Sequence, residues 1–281
     1  MGLIGPAESV LMTSEVPATS IRIDDASSLP ELASDGIQVG SGRLLSTVQT
    51  LLSGNITHNR AYRDGRVAIQ DEGSQLVGLL VGHGEKILDC CAAPGGKTAV
   101  LAARNPASTV IAADLHPHRA RVLRELAQQP NIHVLAADAN SPPFRSSFDR
   151  ILADVPCSGT GTLARNPEIK WRLRAEDLKD LQQRQIAILK SALLRLTPGG
   201  RLVYSTCSME PEENEIVVKS ALDADFDFKL VDCRGELEIL ERRGELEVHE
   251  IGSLVSGPFL RTIPGLHPCD GFFAAIIEKK I

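Results

Sequence analysis

The stretch that decides the fold is residues 87–98, ILDCCAAPGGKT, in which an apolar run is followed by an acid, a tight turn and a helix start. Its end resembles the P-loop pattern G-x-x-x-x-G-K-[ST], which places its first glycine five residues before Gly96. Cys91 occupies that position, and Pro94 removes an amide donor from the loop. The dinucleotide pattern G-x-G-x-x-G fails too, because the two glycines are adjacent. What remains is a strand–turn–helix unit that binds a ligand at the carboxyl end of its strand.

Strand–helix units alternate along the rest of the chain. Seven strands are predicted, at 86–91, 109–114, 132–138, 148–154, 200–207, 226–232 and 271–279. The first five are nearly continuous apolar runs, as expected for strands buried in a parallel sheet. The clearest helix covers 176–196, and Thr197-Pro198-Gly199-Gly200 is predicted to end it. The pattern predicts an α/β fold with a doubly wound, mostly parallel, seven-stranded Rossmann-like sheet.

The region before this alternation has a weaker pattern. Residues 1–65 are rich in Ser, Thr and Gly and contain only short apolar pieces, which predicts a small, partial α+β segment. The pattern sharpens in VAIQDEGSQLVGLLVG, where Asp71 or Ser74 could cap a helix. We therefore predict two parts, an N-terminal segment at 1–65 and a larger domain at 66–281.

Four predicted strands end in aspartate, or one residue after it: Asp89, Asp114, Asp138 and Asp154. A single aspartate at a strand end is most often a helix cap or a turn former. Four in successive parallel units would gather along one edge of the sheet, where ligands bind. A carboxylate after the second strand suits a ribose diol, since it accepts two hydroxyl hydrogen bonds. The sequence therefore indicates a nucleoside-bearing cofactor held without a phosphate cradle.

The composition is ordinary for a soluble globular protein, with 43% hydrophobic and 23% charged residues. No apolar run approaches the roughly 18 residues that span a membrane. The N-terminal MGLIGPAESVLMTSEVP lacks the basic start and long apolar core of a signal peptide. The six cysteines form no C-x-x-C pair, so we expect free thiols in a cytoplasmic protein. We also expect a monomer with no metal and no membrane partner.

The net charge of −6 is not typical of a nucleic-acid-binding protein, but the charges are unevenly distributed. Residues 210–250 hold 14 of the 36 acidic residues and only 5 of the 30 basic ones, so the remainder is slightly basic. Basic side chains cluster at 59–66, 118–124 and 165–174. These clusters could form a nucleic-acid-binding surface or ordinary solvated faces, and charge alone does not decide between them.

Several longer motifs point to one family. They are LDCCAAPGGKT (88–98), LADVPCSGTG (152–161), RNPEIKWR (165–172), LVYSTCSMEPEENE (202–215) and DGFFAA (270–275), preceded by QDEGSQLV (70–77). Together they resemble the RsmB/NOL1/NSUN family of S-adenosylmethionine-dependent RNA cytosine-C5 methyltransferases, of the bacterial ribosomal RNA type. The resemblance extends over residues 70–275 and implies S-adenosylmethionine as cofactor and RNA as partner.

The resemblance also implies a role for each matching residue. The family's loop for the methionine end of the cofactor matches Cys91, Ala92, Ala93, Pro94, Gly95, Gly96 and Lys97. Asp114 matches the ribose-binding acid, Asp138 the residue near the adenine, and Asp154 the acid between cofactor and target base. Cys207, in Thr-Cys-Ser, matches the nucleophile. Cys157, in Pro-Cys-Ser, matches a second cysteine that helps to release the product.

The chemistry explains why two cysteines and an acid would be needed. C5 of cytosine becomes reactive when a thiolate adds to C6, which makes Cys the suitable nucleophile. A hydrogen bond or proton at N3 assists that addition and gives Asp154 a task. Read without the resemblance, Cys207 at the end of a buried strand is more often a structural residue. The alternatives are a transfer RNA methyltransferase, a DNA-type enzyme with Cys157 as nucleophile, and a non-catalytic RNA-binding assembly factor.

The segment RNPEIKWR is the candidate RNA contact. Lys170, Trp171 and Arg172, with Arg165 nearby, combine cations with an indole that could stack on a base, although they could also form a surface turn. Bacterial relatives often carry an N-terminal helical RNA-binding domain before a small α/β segment. Residues 1–65 can hold only part of that segment, and they could themselves contact RNA.

Overall fold

The computed structural model describes residues 16–144, 147–223, 227–248 and 250–281. The first fifteen residues, which include most of the stretch examined for a signal peptide, lie outside the described residues. So does Phe226, the first residue of one predicted strand.

A small antiparallel sheet leads the described chain. Its strands are β1 (Ser20–Ile23), β2 (Gln38–Ser41), β3 (Val48–Ser53) and β4 (Val67–Ile69), with helices α1 (Ser28–Ser34) and α2 (Arg60–Arg63) between them. The strand order is β2-β3-β1-β4, and Ile21, Leu32 and Ile56 form its core. Because β4 pairs with β1, the sheet draws on residues from both sides of the predicted boundary at residue 65. The division into two parts stays a prediction.

The larger sheet has five parallel strands and four antiparallel ones. The parallel strands are β5 (Lys86–Asp89), β6 (Thr109–Asp114), β7 (Ile132–Ala136), β8 (Phe148–Asp154) and β9 (Leu196–Thr206). The antiparallel strands are β10 (Phe228–Val231), β11 (Val255–Ser256), β12 (Phe259–Arg261) and β13 (Phe273–Lys279). The order is β11-β12-β13-β9-β8-β5-β6-β7, with β10 also paired to β13.

Helices cover both faces of this sheet. They are α3 (Glu72–Leu80), α4 (Gly96–Arg104), α5 (Pro117–Leu126), α6 (Ile169–Arg172), α7 (Ala175–Leu193), α8 (Glu215–Leu222) and α9 (Cys233–Arg242). Successive strand residues point to opposite faces, so Leu152 joins the core that includes residues of α3 and α4, while Ile151 joins the core under α7 and α8. The predicted doubly wound α/β fold is confirmed.

Two details of that prediction were wrong. The sheet has nine strands rather than seven, because β11 and β12 are too short, at two and three residues, to produce a recognisable pattern. Thr197-Pro198-Gly199-Gly200 does not end α7, which stops at Leu193, but lies inside β9. Proline lacks an amide donor, and the pairing of β8 with β9 slips at this point, from Phe148 opposite Leu196 to Arg150 opposite Arg201.

Polar contacts hold the small sheet against the large one. Asp71 caps α3, as predicted, by accepting from the Gly73 amide at 2.8 Å. The buried carboxylate of Glu72 accepts from the backbone amides of residues 43–45. From β1, Arg22 donates to the Gly96 carbonyl at 3.0 Å. The glycine turn after β5 is thereby supported by both sheets.

Candidate active site

A cavity of about 570 Å³ opens where the parallel strands β5, β6, β8 and β9 end. Its wall includes Cys90, Cys91, Ala93, Asp114, Leu115, His116, Arg119, Asp138, Ala139, Asn140, Asp154, Val155, Pro156, Cys157, Arg184, Ile188 and Cys207. Three carboxylates, two guanidinium groups and four thiols therefore face one space, with Cys157 and Cys207 contributed by different loops. This is the position at which doubly wound sheets bind their ligands.

The glycine turn between β5 and α4 shapes one wall. Gly95 has φ +117°, and a Cβ there would lie 2.8 Å from Leu123 Cδ1, so only glycine fits. Arg119 Nη2 donates to the Ala93 carbonyl at 2.9 Å and holds the turn against α5. Of the seven turn residues that the family resemblance singled out, Cys91 and Ala93 line the cavity. The others, Ala92, Pro94, Gly95, Gly96 and Lys97, are not among the residues that line it.

Two further acids, Asp114 and Asp138, line the same cavity. Asp114, which is 2% exposed, accepts from the His116 amide at 3.0 Å, and its other oxygen lies 3.5 Å from Arg119 Nη2. Asp138 accepts from the backbone and side-chain nitrogens of Asn140 at 2.9 and 3.0 Å. Each carboxylate is fixed by its own loop, and each retains acceptor capacity toward the cavity.

Asp89 does not join these acids, so the prediction that four carboxylates gather at this edge was wrong for one of them. Its side chain is 1% exposed and accepts a hydrogen bond from Thr98 Oγ1 at 2.7 Å. Adjacent side chains alternate in direction at a strand end, and Cys90 lines the cavity instead. Burial raises the pKa of Asp89 to about 7.

Asp154 is fixed on two sides. Lys97 Nζ lies 2.8 Å from one carboxylate oxygen, and Ser205 Oγ donates to the other at 2.7 Å. Burial alone would lower the pKa of Lys97, but the adjacent Asp154 carboxylate raises it above its usual value. Lys97 also lies 5.0 Å from the centre of the Phe272 ring. Asp154 remains part of the cavity wall, to which both thiols also contribute.

The two thiols are in direct contact, with 3.4 Å between Cys157 Sγ and Cys207 Sγ. The pKa of Cys207 is lowered because a hydrogen bond from the Cys157 thiol stabilises its thiolate, and this outweighs the effect of burial. The pKa of Cys157 is raised well above its usual value, first by that same hydrogen bond and then by burial. Of the two thiols, Cys207 is therefore the one that loses its proton more readily, with Cys157 as the hydrogen-bond donor to it.

The candidate RNA segment lies beside the Cys157 loop. Ile169 is buried, and a Cβ on Gly159 would lie 3.2 Å from its Cδ1. Lys170, Trp171 and Arg172 are exposed, Trp171 to 90%. Among the described residues, no hydrogen bond or ion pair engages the side chains of these three. Arg165 differs from them: it pairs with Asp270 at 3.1 Å and donates to the Ala18 carbonyl at 3.3 Å.

Sequence reasoning missed several residues of this site. Arg119 and Arg184 lie on helices whose apolar spacing carries no sign of a site, yet both reach the cavity. Glu213 stands behind the thiols, where it accepts from residues that follow each cysteine. The acid-rich stretch PEENE was a usable signal for Glu213, but only the fold shows which of its carboxylates is buried.

The raised pKa of Asp89 predicts a pH dependence of stability. The folded state keeps this carboxyl protonated up to about pH 7, whereas the unfolded chain releases the proton near pH 4. Between these values the folded state binds more protons, so stability falls as pH rises. Asp89→Asn should remove this contribution and gain up to about 4 kcal/mol over wild type by pH 7, with no such gain below pH 4.

Urea unfolding at pH 4, 5.5 and 7 measures this difference. Asp180→Asn, an exposed position on α7, is the matched control and should follow wild type throughout. Equal stability differences between Asp89→Asn and wild type at all three pH values would contradict the assignment.

Comparison with known proteins supplies a family for this site. The sequence profile described as 16S rRNA methyltransferase RsmB/F matches residues 77–278. A protein from Vibrio cholerae serotype O1 named ribosomal RNA small subunit methyltransferase B is 39% identical, over 78% of this chain and 48% of its own length. A Bacillus subtilis protein named "Probable ribosomal RNA small subunit methyltransferase B" is 33% identical, over 92% of this chain and 58% of its own.

A solved structure has the same fold over nearly the whole chain. The methyltransferase homologue protein from Pyrococcus horikoshii gives a TM-score of 0.77 at 28% identity, covering 99% of this chain and 92% of its own. The chain spans about half the length of the curated relatives it matches. Among the described residues, no helix is long and apolar enough to cross a membrane. The profile match over most of the chain confirms the resemblance seen in the motifs, and the chain belongs to the 16S rRNA methyltransferase RsmB/F family.

Proposed function

We propose that this chain transfers a methyl group to C5 of cytosine in RNA, through a covalent bond between Cys207 and C6 of the base. We further propose that the RNA is small-subunit ribosomal RNA, as the names of the relatives suggest. The observation that carries the proposal is the contact of two thiols, 3.4 Å apart, at the wall of a cavity with three carboxylates. A transfer RNA substrate would use the same chemistry and differs only in how the RNA docks.

S-adenosylmethionine is the cofactor of this methyltransferase family and supplies the methyl group when bound. The residues present fit it. Asp114 offers carboxylate acceptors suited to a ribose diol, and the three cavity carboxylates suit a cationic sulfonium. The turn with Pro94 offers no phosphate cradle, and S-adenosylmethionine has no phosphate. Asp114, Asp138 and the turn at Cys91 and Ala93 are the residues that would hold it.

Cys207 begins the reaction on the base. Its thiolate adds to C6, and the electron pair of the C5–C6 double bond shifts through C4 to N3, which takes up a proton. The pair of Asp154 and Lys97 is the candidate source of that proton, since Asp154 stands at the cavity wall and the charges of both residues act on Cys207. The base is then an enamine whose C5 is nucleophilic enough to accept the methyl group.

Cys157 completes the reaction. Its pKa is raised chiefly because it hydrogen bonds to the Cys207 thiolate, and that cause disappears once Cys207 is bonded to C6. Cys157 can then lose its proton to solvent and act as the base that removes the proton from methylated C5. The electrons of the C5–H bond restore the C5–C6 double bond and expel Cys207 as thiolate. Cys157 then carries a proton again, and N3 has returned its proton to the pair of Asp154 and Lys97.

RNA docking is assigned to the exposed segment beside the Cys157 loop. Lys170 and Arg172 offer charges with no partner among the described residues, and Trp171 presents its indole to solvent. This combination suits a base stacked between phosphates. Arg165 is held by Asp270 and would contribute mainly by supporting the segment. Residues 1–65 remain a second candidate contact.

The cofactor assignment predicts the behaviour of Asp114→Ala. The variant loses the carboxylate that would bind the ribose hydroxyls, and each charge-assisted hydrogen bond is worth about 1–3 kcal/mol. Affinity for S-adenosylmethionine should therefore fall at least about tenfold by titration calorimetry. Asp223→Ala, at an exposed helix end, should bind as wild type does. An unchanged affinity in folded Asp114→Ala would remove Asp114 from the site.

The docking assignment predicts a change in salt dependence. Lys170→Ala or Arg172→Ala should weaken RNA binding and lower the slope of log affinity against log salt by about one unit each. Affinity for S-adenosylmethionine should not change. Lys219→Ala on α8 removes an exposed lysine within the acid-rich stretch and should leave the salt slope intact. Equal slopes for all three variants and wild type would rule out the segment.

The two thiols predict opposite variant behaviour with cytosine-containing RNA. Cys207→Ala should abolish methylation and form no adduct. Cys157→Ala should attack and transfer the methyl group, then stall as a protein–RNA adduct, because removing a release group raises only the later barrier. Denaturing electrophoresis shows the adduct as a slow band that nuclease removes.

Wild type with 5-azacytidine-containing RNA is the positive control, since that base blocks release. No adduct in this control would indicate a non-catalytic RNA-binding factor. An adduct from Cys207→Ala together with none from Cys157→Ala would make Cys157 the nucleophile, as in a DNA-type enzyme.

A further inference from the structure

A buried carboxylate lies behind the two cysteines. Glu213 ends the short 3₁₀ turn Pro211–Glu213 and is 0% exposed. Burying a carboxylate costs several kcal/mol unless hydrogen bonds compensate, so its partners matter. The main-chain carbonyl of the same residue accepts from Tyr204 Oη at 2.6 Å, which fixes the turn against β9.

Four hydrogen bonds converge on the Glu213 carboxylate. One oxygen accepts from the Ser158 amide at 2.9 Å and from Gln185 Nε2 at 2.8 Å. The other accepts from Ser208 Oγ at 2.6 Å and from Ser158 Oγ. Ser158 directly follows Cys157, and Ser208 directly follows Cys207. One carboxylate thus binds the residue after each cysteine and bridges the two loops.

The neighbouring polar residues complete the same connection. Asn214 accepts a hydrogen bond from Thr206 Oγ1 at 2.6 Å and donates one to the Ser208 carbonyl at 2.9 Å. It therefore bonds the residue before Cys207 and the residue after it. Gln185 also donates to the Pro156 carbonyl at 2.9 Å, on the other side of Cys157. Each cysteine is therefore held from the residue before it and the residue after it.

The backbone fixes the distance between the thiols only in part. The pairing of β8 with β9 ends at Asp154 opposite Ser205, two residues before Cys207 and three before Cys157. Beyond it, two backbone hydrogen bonds still connect the loops, from the Val155 amide to the Ser205 carbonyl at 3.0 Å and from the Gly161 amide to the Cys207 carbonyl at 2.9 Å. Neither of these bonds involves Cys157, whereas the Glu213 carboxylate bonds the residues directly after both cysteines.

We propose that Glu213 is a positioning residue, which bridges the two cysteine loops and holds the sulfur atoms of Cys157 and Cys207 at hydrogen-bonding distance. The inference deepens the proposed function, on which its catalytic consequence rests. The contact between the two sulfur atoms and the burial of Glu213 do not depend on that function. Other titratable groups that act on the thiols are Lys97, Asp154 and Tyr204.

Removing the Glu213 charge has two opposing effects on Cys207. The lost negative charge would lower the pKa of Cys207, whereas a loosened contact with Cys157 would raise it. The hydrogen bond from Cys157 is the largest influence on this thiol, and the Glu213 charge is a minor one. The loosened contact therefore dominates, and Cys207 should become less reactive.

The test measures each thiol separately, in the full chain without RNA or cofactor. Iodoacetamide alkylation is followed over pH 6–9 by mass spectrometry of the peptides that carry Cys157 and Cys207. In Glu213→Gln, which preserves side-chain shape, alkylation of Cys207 near neutral pH should slow about tenfold, the effect of losing one charge-assisted hydrogen bond. Glu215→Gln is the matched control, two residues away, and should react as wild type does.

A double-variant comparison separates positioning from general loosening. Cys157→Ala should slow Cys207 alkylation to a similar extent, since it removes the same hydrogen bond. Adding Glu213→Gln to Cys157→Ala should then cause no further slowing, because both act through one contact. Additive slowing, or wild-type Cys207 reactivity in folded Glu213→Gln, would overturn the proposal.

Folding is checked by circular dichroism and thermal melting. If Glu213→Gln does not fold, Ser208→Ala takes its place, because it removes one of the four hydrogen bonds to the Glu213 carboxylate and leaves the other three. Ser208→Ala should slow alkylation of Cys207 severalfold. Unchanged alkylation of Cys207 in this variant would contradict the proposal. Wild type is separately offered 5-azacytidine-containing RNA. A missing adduct there would refute the proposed function, while the alkylation results would still decide the role of Glu213.

Discussion

The parallel pairing of β8 with β9 is the constraint on which the site depends. Two segments about fifty residues apart in sequence run side by side through the sheet and end at the same edge. Asp154 and the two cysteines are brought together by that arrangement. Asp154 ends β8 and accepts from Ser205 of β9, and the two cysteines occupy the loops just beyond. Parallel strands need a long crossover, which α6 and α7 supply.

Cys157 and Cys207 have identical side chains, but their surroundings shift the two pKa values in opposite directions. Both thiols are largely buried, and burial alone would raise the pKa of each. Their mutual hydrogen bond breaks the symmetry, and the Lys97 ammonium adds a positive charge that favours the Cys207 thiolate. Lys97 and Asp154 also stabilise each other, because each charge offsets the cost of burying the other. A low-dielectric cavity strengthens these effects.

The surroundings of the site are built to keep these distances fixed. The small N-terminal sheet supports the glycine turn through Arg22, and α5 supports it through Arg119. Behind the thiols, Glu213, Asn214 and Gln185 connect the two cysteine loops through buried hydrogen bonds. Lys170, Trp171 and Arg172 are exposed beside the Cys157 loop. Rigid reactive groups beside an accessible cationic and aromatic segment suit a large, flexible substrate.

Sequence alone determined the order of the strand–helix units and the family. Continuous apolar runs gave β6 and β8 with their observed bounds, because buried parallel strands admit little else. Counting placed Cys91 where a P-loop needs its first glycine, and Pro94 lacks an amide donor, so a P-loop was disfavoured. The motifs gave the family, and the resemblance made Asp114, Cys157 and Cys207 candidate site residues. Only the tertiary structure could show that Asp89 turns inward, that Arg119 and Arg184 reach the cavity, and that Thr197–Gly200 is a bulge in β9. Only the tertiary structure shows that Glu213 lies behind both cysteines. Such contacts depend on how distant segments pack, and local sequence patterns do not encode that packing.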